Sequence, residues 1–225
     1  MTEEIKINNI IKSKNRKTIK MEVSFDGIIT LRVPEYTTND DIVEFLEYNY
    51  NWLKNTLNKV SNQPVFVHKY QENENFMFLG KMYLLHISDN DFPKFKFDGN
   101  QFIISNKVSS VAQKYFEVFY RTKAKTIIKS RVVDIANKLN IKFNNLRITS
   151  ANERWGSCSS QGNVNFSWRL IMASPSAIDY VIIHEFCHLF EFNHSPKFWK
   201  LVEKIMPDYK INKKWLAENS KYMVL

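Results

Sequence analysis

Two Ser-Pro pairs, Ser174-Pro175 and Ser195-Pro196, bracket a stretch whose fold is tightly constrained. A serine hydroxyl can accept a hydrogen bond from an orphan first-turn amide, and proline suits a first-turn position that needs no donor, so each pair reads as a helix start. Asp179 adds an acid to the first turn of the first helix. This helix is predicted to run through His184-Glu185-Phe186-Cys187-His188. Four-residue spacing puts both imidazoles on one face about one turn apart, where they can grip a single ion. Asn193 is expected to end the helix by entering the left-handed region, and the turn before Ser195 then swings His194 back toward the pair.

Two histidines leave zinc under-coordinated. His194 is the leading third ligand, with Glu191 and Glu203 as carboxylate alternatives. Three protein ligands and an open position describe a catalytic zinc site, whereas four ligands close a structural one. With five His and 14 Glu in 225 residues, chance supplies about 0.007 matches to His-Glu-x-x-His. Neutral imidazoles leave most of the ion's charge uncompensated, so water there is acidified from about 15.7 toward about 7. Glu185, adjacent to the first ligand, is placed to act as the general base. Cys187 points off the ligand face and reads as core, and Cys158 reads as a small buried thiol.

The rest of the chain predicts an α+β fold: a β-rich N-terminal part with a helix, then a long basic helix, then a hairpin and the histidine-bearing helix. In TIKMEVSFDGIITLRVP the β-branched residues break at Asp26-Gly27, a hairpin signal, and Pro34 ends the second strand. One packed helix is expected over 40–60, with Trp52 in the core. Strands are expected in FMFLGKMYLLHIS and around Asp98-Gly99. His68 and His86 lie there away from other ligand types and read as structural. A helix over about 109–139 places Arg121, Lys125 and Lys129 on one face. The regions are taken as 1–108 and 109–225, either of which can belong to one continuous domain.

Val164 to Leu170 alternates apolar and polar residues, predicting a half-buried strand that pairs with RWGSC across the SSQGN turn. Arg154, Asn165 and Arg169 on these strands are candidate substrate-binding residues, since an extended peptide can add to a sheet edge and arginine can hold a phosphate or carboxylate.

Charge is unevenly distributed. The net +9 falls mostly within 111–150, where nine basic residues face two acidic ones. Such a segment attracts phosphates or an acidic partner, although charge runs are usually solvated helix faces. Scarce Gly and Pro with 14% aromatics exclude collagen-like and disordered classes. Two cysteines give no disulfide framework. No apolar run suits a signal peptide or a membrane span, so a cytoplasmic location is expected, with no membrane partner.

Arg154-Trp155-Gly156-Ser157-Cys158-Ser159, Gly162, Asn165, His184-Glu185-x-x-His188, Asn193-His194-Ser195-Pro196, Phe198-Trp199 and Pro207-Asp208-Tyr209 together resemble the YgjP-like metallopeptidase domain family. The likeness is strong over about 145–210 and weaker toward the N-terminus, where KSKNRKTIK, Trp52 and Leu79-Gly80 fit. It resembles in turn the SprT-like and WLM zinc metalloproteases. This implies a zincin-type core, with His184, His188 and His194 as zinc ligands and Glu185 as the catalytic acid/base. The six-residue step from His188 to His194 matches the metzincin interval, but Glu191 stands where metzincins have Gly, so that group is not assigned. The resemblance leaves the substrate open between peptide and nucleotide, because nucleoside triphosphate (UTP-type) pyrophosphatase activity is also attached to the family. Further readings are a DNA-associated protease with weak nucleic-acid contact through 111–150, and a non-catalytic metal scaffold.

Overall fold

The computed structural model describes residues 7–23, 28–61 and 67–225. The fold is α+β, with six α-helices and three small sheets among the described residues. The chain divides into two compact units, Met1–Phe66 and Val67–Leu225. The strands of 75–105 share one core with the long helix.

In the first unit β3 (Ile29–Pro34) pairs in parallel with β1 (Asn9–Ser13) and antiparallel with β2 (Lys20–Val23). Ile29, Leu31 and Val33 alternate inward, and Leu31 and Val33 meet Ile42 in a small core. The β2–β3 pairing is the one read from sequence; its turn at Asp26-Gly27 lies outside the described residues. The single helix expected over 40–60 is instead two, α1 (Asn39–Tyr48) and α2 (Tyr50–Ser61). Thr38 and Asp41 cap α1 reciprocally, and it ends at Asn49, whose Nδ2 donates to the Phe45 carbonyl at 2.8 Å. Trp52 is half exposed, which corrects its assignment to the core.

In the second unit the first sheet has the order β4 (Asn75–Phe78), β5 (Lys81–Ser88), β7 (Phe102–Ser105), β6 (Phe95–Phe97). The hairpins turn at Leu79-Gly80 and around Asp98-Gly99. The sheet's aromatics pack on α3 (Ala112–Leu139), Phe76 stacking on Phe116 at 4.0 Å, and Tyr120 Oη donates to the Met77 carbonyl at 2.8 Å. The buried residues of α3 recur every fourth position: Ala112, Phe116, Tyr120, Ala124, Ile128, Val132, Ala136. Four residues overshoot a turn by about 40°, so this stripe winds around the helix and different elements cover successive parts of it. Toward its end, Arg131 forms a bidentate pair with Asp179, with 2.6 Å contacts from Nε and Nη2. Asn140, in the left-handed region at φ 50°, ends the helix.

The second sheet runs β8 (Asn145–Thr149), β10 (Asn163–Ser167), β9 (Gly156–Cys158), parallel then antiparallel, which leaves β9 at an edge. The strand expected to reach Leu170 stops at Ser167, and Trp168–Met172 form a 3-10 turn. Ser167 is buried instead of facing water: its Oγ donates to the Ala151 carbonyl at 2.7 Å and accepts from the Arg169 amide. That local bond offers the backbone an alternative to the ladder. The remaining helices are α4 (Pro175–Cys187), α5 (Pro196–Ile205) and α6 (Tyr209–Asn219). No helix among the described residues is long and apolar enough to cross a membrane.

Candidate metal centre

α4 is buried nearly all round, from Ala177 and Ile178 to Phe186 and Cys187. The Ser174 hydroxyl accepts from the Ala177 amide and Pro175 opens the first turn, as read from sequence. The helix ends at Cys187 with His188 as its cap. Asn193 is not among the residues with positive φ, so the left-handed exit expected there does not occur; successive turn bonds, Phe190 and Glu191 amides to the Cys187 carbonyl, carry the chain out. The Ser195 hydroxyl then accepts from the Phe198 amide to start α5.

This path brings His184, His188 and His194 together, their ligating atoms all within 4.8 Å of one another. His194 Nε2 lies 2.9 Å from His184 Nε2. His188 Nδ1 lies 3.1 Å from the Glu191 carbonyl, which orients the ring and leaves Nε2 for a ligand. Neither alternative carboxylate joins the cluster: Glu191 contributes only that carbonyl, and Glu203 pairs with Lys210 at 3.6 Å. Beneath the rings sits the fully buried Phe198, 4.9 Å from His184, 4.5 Å from His188 and 4.8 Å from His194, centroid to centroid. Trp199 stacks on His194 at 5.6 Å and on Tyr209 at 5.5 Å, and Tyr209 stacks on Tyr180.

Burial, reinforced by the charges of His188, His194 and Lys213, pulls His184 down to about 3. His194 is lowered by burial, His188 and Lys213. Both rings are therefore neutral at physiological pH, the state in which imidazole binds a metal. His184 Nδ1 is a buried nitrogen without a hydrogen-bond partner among the described residues. Three converging imidazoles fit a borderline divalent ion such as zinc.

Glu185 is 6% exposed, and burial pushes it up to about 8 against the opposing pull of Arg154. Its carboxyl packs on β9, where a Cβ on Gly156 would lie 2.6 Å from Cγ and 2.8 Å from Oε1. Arg154 is exposed, with a 3.3 Å ion pair to Glu153. Asn165 donates to Ser157 Oγ at 3.2 Å across the β9–β10 pair. Arg169 lies in the 3-10 turn with its guanidinium 4.4 Å from the Trp168 ring, on the indole that Arg121 covers at 5.1 Å. Cys187 is core, as expected, while Cys158 is half-buried and raised to about 11 by burial and by Glu185. Neither the Phe198 floor nor the Gly156–Glu185 contact follows from the spacing of residues in the sequence. Phe198 was nevertheless legible as the residue bonded to the Ser195 cap, three positions on.

An α+β chain that gathers three imidazoles beside a buried carboxylate has the site of a metallohydrolase. The family model described as YgjP-like, metallopeptidase domain, matches residues 17–219, and the chain belongs to that family. No curated protein matches it. Two solved structures are similar. One is the metallopeptidase zymogen abylysin of Pyrococcus abyssi, at 21% identity over 44% of this chain and 100% of that one, with a TM-score of 0.37. The other is the metallopeptidase zymogen jannalysin of Methanocaldococcus jannaschii, at 19% identity over 41% and 96%, with a TM-score of 0.35.

Proposed function

We propose that the protein is a zinc-dependent peptidase in which His184, His188 and His194 hold one ion and Glu185 is the general base. The observation that carries this reading is the convergence of three imidazoles next to a buried carboxylate that is not one of the cluster. Zinc held there supplies Lewis acidity, making water acidic near neutral pH and polarising a carbonyl oxygen. Glu185 takes the proton of the attacking water and delivers it to the leaving amine. A cation beside it favours its ionised form, countering the burial that raises it. Gly156 keeps the wall opposite Glu185 free of side chain, so the carboxyl stays against the strand.

An extended peptide fits the second sheet. β9 is an edge strand, its residue Gly156 touches Glu185, and unpaired edge amides and carbonyls can bind a substrate backbone. The basic helix gives less support to a phosphate substrate, because Arg121 is paired with Glu117 and Arg131 with Asp179.

The test uses zinc-loaded wild type and Glu185→Gln with casein and, in parallel, UTP. The proposal requires casein cleavage by wild type, a fall in the variant of about 10²-fold or more, and equal zinc content. Wild-type turnover in the zinc-loaded variant contradicts the role of Glu185. Pyrophosphate release without proteolysis contradicts the peptidase reading.

A further inference from the structure

α6 carries three lysines in a short span, and they differ in their partners. Lys210 lies 3.6 Å from Glu203 and Lys214 lies 3.7 Å from Glu218. Lys213 has no carboxylate within ion-pair distance among the described residues. It is exposed, and its Nζ lies 4.3 Å from the centroid of Trp199. Trp199 in turn lies 5.6 Å from His194 and 5.8 Å from His184, so the indole seats the ammonium near the side of the cluster formed by those two rings.

A fixed cation beside a site that fits a dication is unfavourable by itself, since like charges repel. An anion bound near both reverses the sign, because it is attracted by each. Lysine is suited to this task as a compact point charge on a flexible stem, and the Trp199 face limits where the stem can wander.

We propose that Lys213 is a substrate-binding residue that holds a carboxylate of a peptide ligand beside the histidine cluster, giving the site a preference for peptides with an acidic group near the bond to be cut. This rests on the peptidase reading for its substrate class, while the cation and its seat on Trp199 do not depend on metal. The carboxylate can come from a chain terminus or from an acidic side chain, and both present the same pair of oxygens.

Calorimetric titrations of the full chain, zinc-loaded and metal-free, decide the matter. The ligands are acetyl-Ala-Ala with a free carboxylate, its C-terminal amide, and acetyl-Asp-Ala-amide, against wild type, Lys213→Gln and Lys213→Arg. Zinc per chain is measured on the same samples. The proposal requires at least one acidic ligand to bind wild type about tenfold more tightly than the neutral amide, a loss of that margin in Lys213→Gln, and its return in Lys213→Arg. Whichever acidic ligand keeps the margin identifies the source as terminus or side chain. A wild type that does not discriminate overturns the proposal. So does a Lys213→Gln protein that keeps the margin, or one that loses affinity for all three ligands equally. Failure of wild type to bind zinc contradicts the metal reading alone, and the metal-free titrations then decide on Lys213.

Discussion

A methyl group at position 156 would stand 2.6 Å from Glu185 Cγ, closer than carbon atoms approach, so the glycine there is part of what lets a carboxyl sit buried against β9. Gly156→Ala is therefore expected to displace Glu185 and lower turnover by about 10²-fold, with zinc content unchanged. Steady-state kinetics alongside metal analysis checks this, and full activity contradicts the contact's role. The histidines themselves were legible in the sequence, because His184 and His188 follow helical spacing and His194 precedes a Ser-Pro helix start. The contact between Gly156 and Glu185 was not, since 29 positions separate the two and only tertiary packing joins them. The same holds for Lys213, which approaches His184 and His194 through Trp199 on another helix. Asn193 shows the opposite error: a residue that tolerates the left-handed region need not enter it when turn bonds already complete the exit from the helix.

Helix α4 is positioned by the elements that surround its start. Gly80, at φ +77°, donates its amide to the Met172 carbonyl at 2.8 Å, and a Cβ there would lie 2.7 Å from Ser174 Cα. Gly80→Ala meets both backbone strain and overpacking, and is expected to lower stability by about 1–3 kcal/mol, read as a lower urea midpoint. The caps of α4 and α5 were readable because they depend on residues within three positions of each other. The β10 boundary was not: the alternation from Val164 to Leu170 is compatible with a longer strand, but the Ser167 hydroxyl caps a 3-10 turn by accepting from the Arg169 amide. In the first unit, the apolar spacing over 40–60 ran through Asn49, where a side-chain bond to Phe45 closes one helix before the next begins.

At the scale of the molecule, pH acts through groups buried neutral. His68 is 2% exposed at its side chain, bonded to Glu74 at 2.8 Å and to the Val224 backbone, and stacked on Phe76 at 4.1 Å. Burial holds its pKa below the ordinary value of about 6.5, outweighing the upward pull of Glu74. The unfolded chain thus binds a proton that the folded chain resists, and stability falls as pH drops below about 6.5. Glu74, whose own pKa is lowered by the Gln71 and Lys69 amides and by His68 despite burial, adds a loss of the same sign as pH falls through its folded value. Urea midpoints between pH 7.5 and 5.5 are expected to decline in the wild type and less steeply in His68→Gln; parallel declines contradict the assignment. The +7 segment read from sequence forms much of α3, where ion pairs engage Arg121 and Arg131. The central claim is tested most directly by X-ray absorption of the zinc-loaded protein together with zinc content in His184→Ala, His188→Ala and His194→Ala. The account predicts one ion per chain with three imidazole nitrogens at about 2.0–2.1 Å, and loss of stoichiometric zinc in each variant. Absence of stoichiometric zinc from the wild type, or full retention by all three variants, would contradict it.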